Sequence, residues 1–307
     1  MNTKVIVFTV YYNRENDVDD SIISLLNQTY ENYSIVAIDD GSTDSTPEKL
    51  KKYINHPKFN LITKKNSGFV DSLIQAINSF DSEYIAIHGS GDISLPDRLE
   101  KQVSILVDNQ HIGLVGCFYE NHDLIRDTLQ QYNKYQETIE SPSQYLLKEN
   151  FLTQGEVMFR RTIYNNVGGY NRLYTYSQDY DLWLRMSNIT NFYIIPEVLY
   201  KRFVRNDGVS GLIPKILAQQ YLASFARHCF MVKINKPIAI NLIEKPSDKK
   251  LKRRILKLIV RNFIIEKSIN NINILRTYTK KEFTPMGYLV LSFFFIIMKF
   301  LLKFNKK

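Results

Sequence analysis

Residues 35–44 read Ile-Val-Ala-Ile-Asp-Asp-Gly-Ser-Thr-Asp. Four apolar residues stop abruptly at two carboxylates, a glycine and short polar side chains. Such a run predicts a buried parallel strand that delivers Asp39 and Asp40 to the carboxyl edge of a sheet, where open α/β folds bind their ligands. Gly41 lets the backbone turn sharply, and Ser42, Thr43 and Asp44 put hydrogen-bonding groups at the start of the next segment. Alone, the string also fits an ordinary strand-to-helix turn. Its neighbours decide between the two.

Upstream, Lys4–Val10 is a second apolar strand, followed by Tyr11, Tyr12, Asn13 and Arg14. An amphipathic stretch, Asp17–Gln28, comes next, with Val18, Ile22, Leu25 and Leu26 at helical spacing. Downstream, Pro47 marks the first turn of a helix after Thr46. Phe59–Thr63 is a third strand, Val70–Phe80 a third helix and Glu83–His88 a fourth strand. Ser94, Pro96 and Asp97 announce another helix. This alternation predicts an α/β fold, a Rossmann-like, mostly parallel sheet flanked by helices. No G-x-G-x-x-G follows the first strand, which leaves a dinucleotide fold with little support.

The 307-residue chain, 44% hydrophobic and 23% charged, has the composition of a globular protein long enough for one large domain with an appendage. Val5–Val10 is too short for a signal peptide. The two cysteines, Cys117 and Cys229, lie far apart without metal-site spacing, so the expected setting is reducing and cytoplasmic. The charge is divided unevenly. Residues 231–307 hold 18 Lys or Arg against 4 Asp or Glu, a net of +14, while residues 1–230 hold 22 against 27, a net of −5. In the tail, the basic helical pattern from Lys249 and the apolar run Met286–Met298, followed by Lys299, Lys303, Lys306 and Lys307, suit the inner face of an anionic membrane. The run has 13 residues, fewer than the roughly 20 needed to span a bilayer. Extending it to Phe304 leaves a span possible but not favoured. Cations set beside aliphatic runs, with no recognisable nucleic-acid module, argue against a nucleic-acid partner.

Five stretches occur in order: Tyr12–Asn16, Leu25–Thr46, Glu83–Gln102, Val167–Asn171 and Ser177–Ser187. Their series, covering roughly residues 3–211, resembles the family 2 glycosyltransferases with a GT-A fold. The resemblance implies an inverting transferase that moves a sugar from a UDP- or dTDP-type donor to a saccharide hydroxyl. A GT-A domain is expected over residues 1–230, with a basic, apolar helical appendage over 231–307. A membrane-bound tail adds a lipid-linked acceptor and a role in cell-surface polysaccharide assembly. The alternatives are a soluble transferase with a protein or free-sugar acceptor, or a sugar-nucleotide-binding protein without turnover.

Residue by residue, the resemblance places Tyr12 against the nucleobase and Asp40 as acceptor from the base ring. Val10, Asn13, Asp39, Gly41, Ser42, Asn66, Gly68 and Arg205 are further donor-binding candidates. Val10 stands where relatives often have proline. Relatives usually carry an acidic pair for Mn²⁺ or Mg²⁺ after the fourth strand, but here those two positions are Gly89 and Gly91. Asp92 remains as the candidate metal ligand, or else as a loop acceptor. Arg205 stands where many relatives have a histidine, and with Arg202 it is the candidate cation for the leaving diphosphate. Asp179 is the implied general base at the start of a helix containing Asp181 and Trp183. Trp183 is expected in the core.

Overall fold

The computed structural model describes residues 4–135, 137–205 and 213–231. The chain divides into two units, one ending at Arg205 and the other beginning at Asn206. The tail stretches from Lys249 and Met286, and residues 206–211, lie outside the described residues.

The first unit opens with the expected alternation: β1 (Val5–Tyr11), α1 (Val18–Leu26), β2 (Tyr33–Asp39), α2 (Thr46–Lys51), β3 (Phe59–Thr63), α3 (Phe69–Ser79) and β4 (Tyr84–Ile87). All seven residues of β1 are buried, as are six of seven in β2. Both strands therefore read as continuous apolar runs rather than as an alternation. Helix α1 packs with Val18, Ile22 and Leu25 inward, the i, i+4, i+7 face its sequence spells out. The four strands lie parallel in the order β3-β2-β1-β4, so the order reverses between β1 and β4. An open α/β sheet binds its ligand at such a switch point.

Beyond β4 come β5 (Ile93–Ser94), α4 (Arg98–Asp108), β6 (Ile112–Asp123), β7 (Thr128–Tyr132), β8 (Glu137–Ile139), α5 (Ser143–Leu146), β9 (Met158–Arg160), α6 (Arg161–Asn166), α7 (Gln178–Met186) and β10 (Asn191–Val204). Short β9 runs antiparallel between β4 and β6, and β10 lies parallel to β6 on its other side. Strand β10 has register shifts between Ile195 and Tyr200, beside Pro196, whose missing N–H is tolerated at an irregularity. Trp183 is wholly buried against Phe159, ring centroids 5.7 Å apart. It fills the core, as expected. The second unit is described as one helix, α8 (Ile213–Met231). Among the described residues no helix is long and apolar enough to cross a membrane.

Candidate active site

The loops after β1, β2, β3 and β4 meet at the carboxyl edge of the sheet. The first two are laced together. Asn13 N–H donates to Ser42 Oγ at 3.0 Å, Thr43 N–H donates back to Asn13 Oδ1 at 2.8 Å, and Arg14 N–H reaches Thr46 Oγ1 at 2.7 Å. Asn13 takes a left-handed backbone conformation, φ 52°, which asparagine adopts more readily than other non-glycine residues. Next to it, the Tyr12 side chain stands 48% exposed, an aromatic face open at the sheet edge. Val10 lies inside β1, paired with Ile38, so replacing proline there leaves the backbone in place.

Asp39 and Asp40 are both buried. Asp39 Oδ1 accepts from Ser42 N–H at 3.1 Å and shapes the turn. Asp40 draws in the loop after β3: Ser67 N–H at 3.0 Å, Gly68 N–H at 2.9 Å and Ser72 Oγ at 2.6 Å all donate to it. Lys64 Nζ lies 3.8 Å away. A carboxylate offers about four acceptor sites, so one remains for a ligand. Gly41 is required where these loops touch: a Cβ there would stand 2.6 Å from Asn66 N, at φ +75°. Lys64 and Ser72 were not among the sequence candidates, although a lysine directly after a parallel strand was a readable signal.

Past β4, the loop 88–92 is built around its glycines. His88, buried and kept neutral by desolvation and by nearby Arg98, links Ser21 Oγ at 3.1 Å, Ser94 Oγ at 3.1 Å and the Asp92 carbonyl at 3.0 Å. Asp92 turns inward. Its Oδ2 accepts from Tyr200 Oη at 2.7 Å and its Oδ1 from Phe203 N–H at 2.9 Å, tying the loop to β10. Burial raises its carboxyl above the usual range, and the two bonds and both arginines, Arg202 and Arg205, pull it back.

A hard divalent cation needs several oxygen ligands converging on one point. Among the described residues no group of three His, Cys, Asp or Glu is placed to hold one. Asp92 is the one carboxylate of this loop, and with Gly89 and Gly91 beside it the loop alone does not supply the several oxygen ligands that Mn²⁺ or Mg²⁺ requires. Asp92 has the loop-acceptor geometry that its sequence position allowed, bonded to β10 through Tyr200 and Phe203. Arg205 stands beside this loop, Nη2 donating to Gly91 O at 2.8 Å and lying 3.1 Å from Asp17 Oδ1.

Asp179 lies in the first turn of α7, after Ser177 in a left-handed conformation, φ 58°. Burial raises its carboxyl above the usual range, against the backbone N–H groups of the helix start and the charge of Arg202. Arg202 thus acts electrostatically on both Asp92 and Asp179. Asp181 has a separate task, pairing with Arg185 at 2.6 Å. Gly168 and Gly169 shape the preceding loop, where Tyr170 Oη accepts from Gln154 at 3.1 Å.

Glu156, which the sequence did not single out, is completely buried, bonded through Thr153 N–H and Thr153 Oγ1. Burial pushes its carboxyl up to about 7, with Arg202 opposing. A raised carboxyl favours the folded state while protonated, so that stability is present at acid pH and is lost as pH rises through 7. Between pH 5 and 8.5 the cost is on the order of 3 kcal/mol for a shift of this size. Glu156→Gln is expected to flatten this part of the profile in urea unfolding at a series of pH values. An unchanged slope would count against a buried acid here.

A parallel sheet with a switch point, an exposed aromatic and buried carboxylates at its carboxyl edge, and a carboxylate opening a nearby helix describe the GT-A class of transferases. Solved structures share the fold. S. aureus TarS 1-349 in complex with UDP-GlcNAc matches with a TM-score of 0.62 at 15% identity, over 91% of this chain and 81% of that one. The mannosyltransferase PcManGT from Pyrobaculum calidifontis, in complex with GDP-Man and Mn²⁺, matches with 0.58 at 14%, over 100% and 89%. The model of glycosyl transferase family 2 matches residues 6–168, and the chain belongs to that family and is a glycosyltransferase. It is 31% identical over 68% of its length to an uncharacterized glycosyltransferase of Haemophilus influenzae, spanning 68% of that protein. It is 32% identical over 67% to the putative glycosyltransferase EpsE of Bacillus subtilis, spanning 74%. It is also 27% identical over 67% to Escherichia coli chondroitin synthase, of which it spans 30%.

Proposed function

We propose that this glycosyltransferase moves a sugar, with inversion, from a UDP- or dTDP-type donor to a hydroxyl of a saccharide acceptor, lipid-linked, in the assembly of a cell-surface polysaccharide. The observation that carries the reading is the meeting, at the carboxyl edge of the sheet, of the exposed Tyr12 ring and the buried Asp40 carboxylate, which gathers the loop after β3. In the reaction, the acceptor oxygen attacks the anomeric carbon from the face opposite the leaving group as its proton passes to Asp179. The bond from that carbon to the phosphate oxygen breaks, and the nucleoside diphosphate leaves with the electron pair. A carboxylate whose proton affinity is raised by burial takes that proton more readily at neutral pH.

On the donor side, the open Tyr12 ring receives the base and the remaining acceptor site of Asp40 takes a base N–H. Asn13, Asp39, Gly41 and Ser42 hold the turn, and Asn66 and Gly68 line its far side. Solved neighbours bound to UDP-GlcNAc and to UDP support a uridine-type donor. The relative named chondroitin synthase supports a saccharide product. The tail beyond residue 230, with its net charge of +14, attaches the enzyme to anionic lipid from the cytoplasmic side.

The test is nucleoside diphosphate release from a panel of UDP-, dTDP- and GDP-sugars, with free and lipid-linked saccharides as acceptors, with and without anionic vesicles. Release from one pyrimidine donor that rises with lipid-linked acceptor is expected. Equal turnover with every base would remove the assigned roles of Tyr12 and Asp40. Tyr12→Ala is expected to weaken donor binding by about tenfold, the loss of roughly 1.4 kcal/mol of stacking, measured by calorimetry.

A further inference from the structure

The two positions where relatives carry an acidic pair are not merely short of carboxylates. They are already filled. A Cβ on Gly89 would fall on Asp92 Oδ2 and lie 3.2 Å from Tyr200 Oη. A Cβ on Gly91, whose φ is +87°, would stand 2.8 Å from Asp17 Cβ and 3.2 Å from Arg205 Nη2. The space beside Gly91 therefore belongs to an ion pair between α1 and the end of β10, and its cation is a guanidinium.

That guanidinium is anchored. Nη2 donates to Gly91 O at 2.8 Å, Nη1 donates to Phe203 O at 3.2 Å, and the Phe203 ring lies 5.1 Å from the group. Asp17 Oδ1, at 3.1 Å, is its counter-charge, with the Arg205 and Asp17 side chains 18% and 21% exposed. Five N–H donors on a rigid plane exceed these three acceptors, so capacity remains for phosphate oxygens. Breaking the sugar–phosphate bond moves negative charge onto a diphosphate, and a fixed cation in a partly dry site offsets it well. A bidentate arginine can supply that charge without a metal.

We propose that Arg205 supplies the positive charge for the donor diphosphate in place of a divalent cation, and that Asp17 is its resting counter-ion, displaced when the diphosphate binds. The inference rests on the donor reading above. Binding is then independent of Mn²⁺ and Mg²⁺, and Asp17 competes with the ligand for the guanidinium.

The experiment is calorimetric binding of UDP, dTDP, GDP, UMP and uridine to the full chain, each with Mn²⁺ and with EDTA, backed by thermal shifts. In EDTA, one diphosphate is expected to bind at least tenfold tighter than its monophosphate or nucleoside. Arg205→Met should erase that preference while leaving nucleoside binding intact, and Arg205→Lys should restore part of it. Asp17→Asn should tighten the diphosphate several-fold. Intact nucleoside binding in Arg205→Met shows that the variant is folded. Diphosphate binding that appears only with Mn²⁺, or that is lost with Mn²⁺ in Asp17→Asn, overturns the inference while leaving the donor reading in place. An undiminished preference in Arg205→Met overturns it too. No binding of any nucleotide under either condition overturns both.

Discussion

Replacing Asp179 by Asn is expected to cut sugar transfer by about 10³-fold while leaving donor affinity unchanged. The amide matches the carboxylate in size and keeps the start of α7, but it cannot take the acceptor proton as the new bond forms. Because burial raises the Asp179 carboxyl, its ionised form costs the folded protein free energy at neutral pH. That cost is absent at low pH, where the group is protonated in both folded and unfolded chains; it grows as pH climbs from the unfolded value to the raised folded one and is constant above it. Asp179→Asn should therefore raise the midpoint of thermal unfolding at pH 7 and have little effect near pH 4. The wild-type rate should also fall as pH drops through the raised carboxyl value. Labelled-sugar transfer, donor calorimetry and thermal melts on the same preparation check all three. A variant that still transfers at a tenth of the wild-type rate would exclude Asp179 as the base.

Restoring the acidic pair is expected to break the site rather than rebuild a metal centre. Gly91→Asp places a side chain on a backbone with φ +87° and drives it into Asp17 and Arg205. A left-handed conformation in a non-glycine residue, plus the shift of a packed neighbour, costs about 2–4 kcal/mol. Gly89→Asp meets Asp92 and Tyr200 and would break the tie to β10. Gly91→Asp should lower unfolding stability in urea by that amount, Gly89→Asp by the roughly 1–3 kcal/mol of overpacking alone, and each should weaken diphosphate binding by tenfold or more. Gly91→Ala, with the strain but no charge, separates backbone cost from repulsion. A double variant that folds normally and gains Mn²⁺-dependent activity would show that the loop accommodates carboxylates after all.

Much of the donor half was legible because parallel strands buried on both faces leave an unbroken apolar signature, and their loops lie close to them in sequence. Strand β2, the turn at Asp39–Asp40 and the buried face of α1 were all visible in consecutive residues. The sheet beyond β4 was not. Three-residue β9, inserted antiparallel between β4 and β6, carries too few residues for any periodicity, and its pairing is decided by partners more than 40 positions away. Glu156 was missed for a related reason: an acid between Gly155 and Val157 looks like an ordinary loop residue until the fold closes over it.

The sequence by itself determined the alternating α/β half and the family, whose resemblance proposed Tyr12, Asp40 and Asp179 as site residues, because the strands and their loops leave strong local signals. Only the tertiary structure decided that Asp92 faces Tyr200 and Phe203, and that Arg205 stands against Gly91 and Asp17. Those contacts join residues 108 to 188 positions apart in the chain. A carboxylate's role depends on which donors reach it in space. That is set by how β10 and α1 close on the loop, which no local stretch of sequence records.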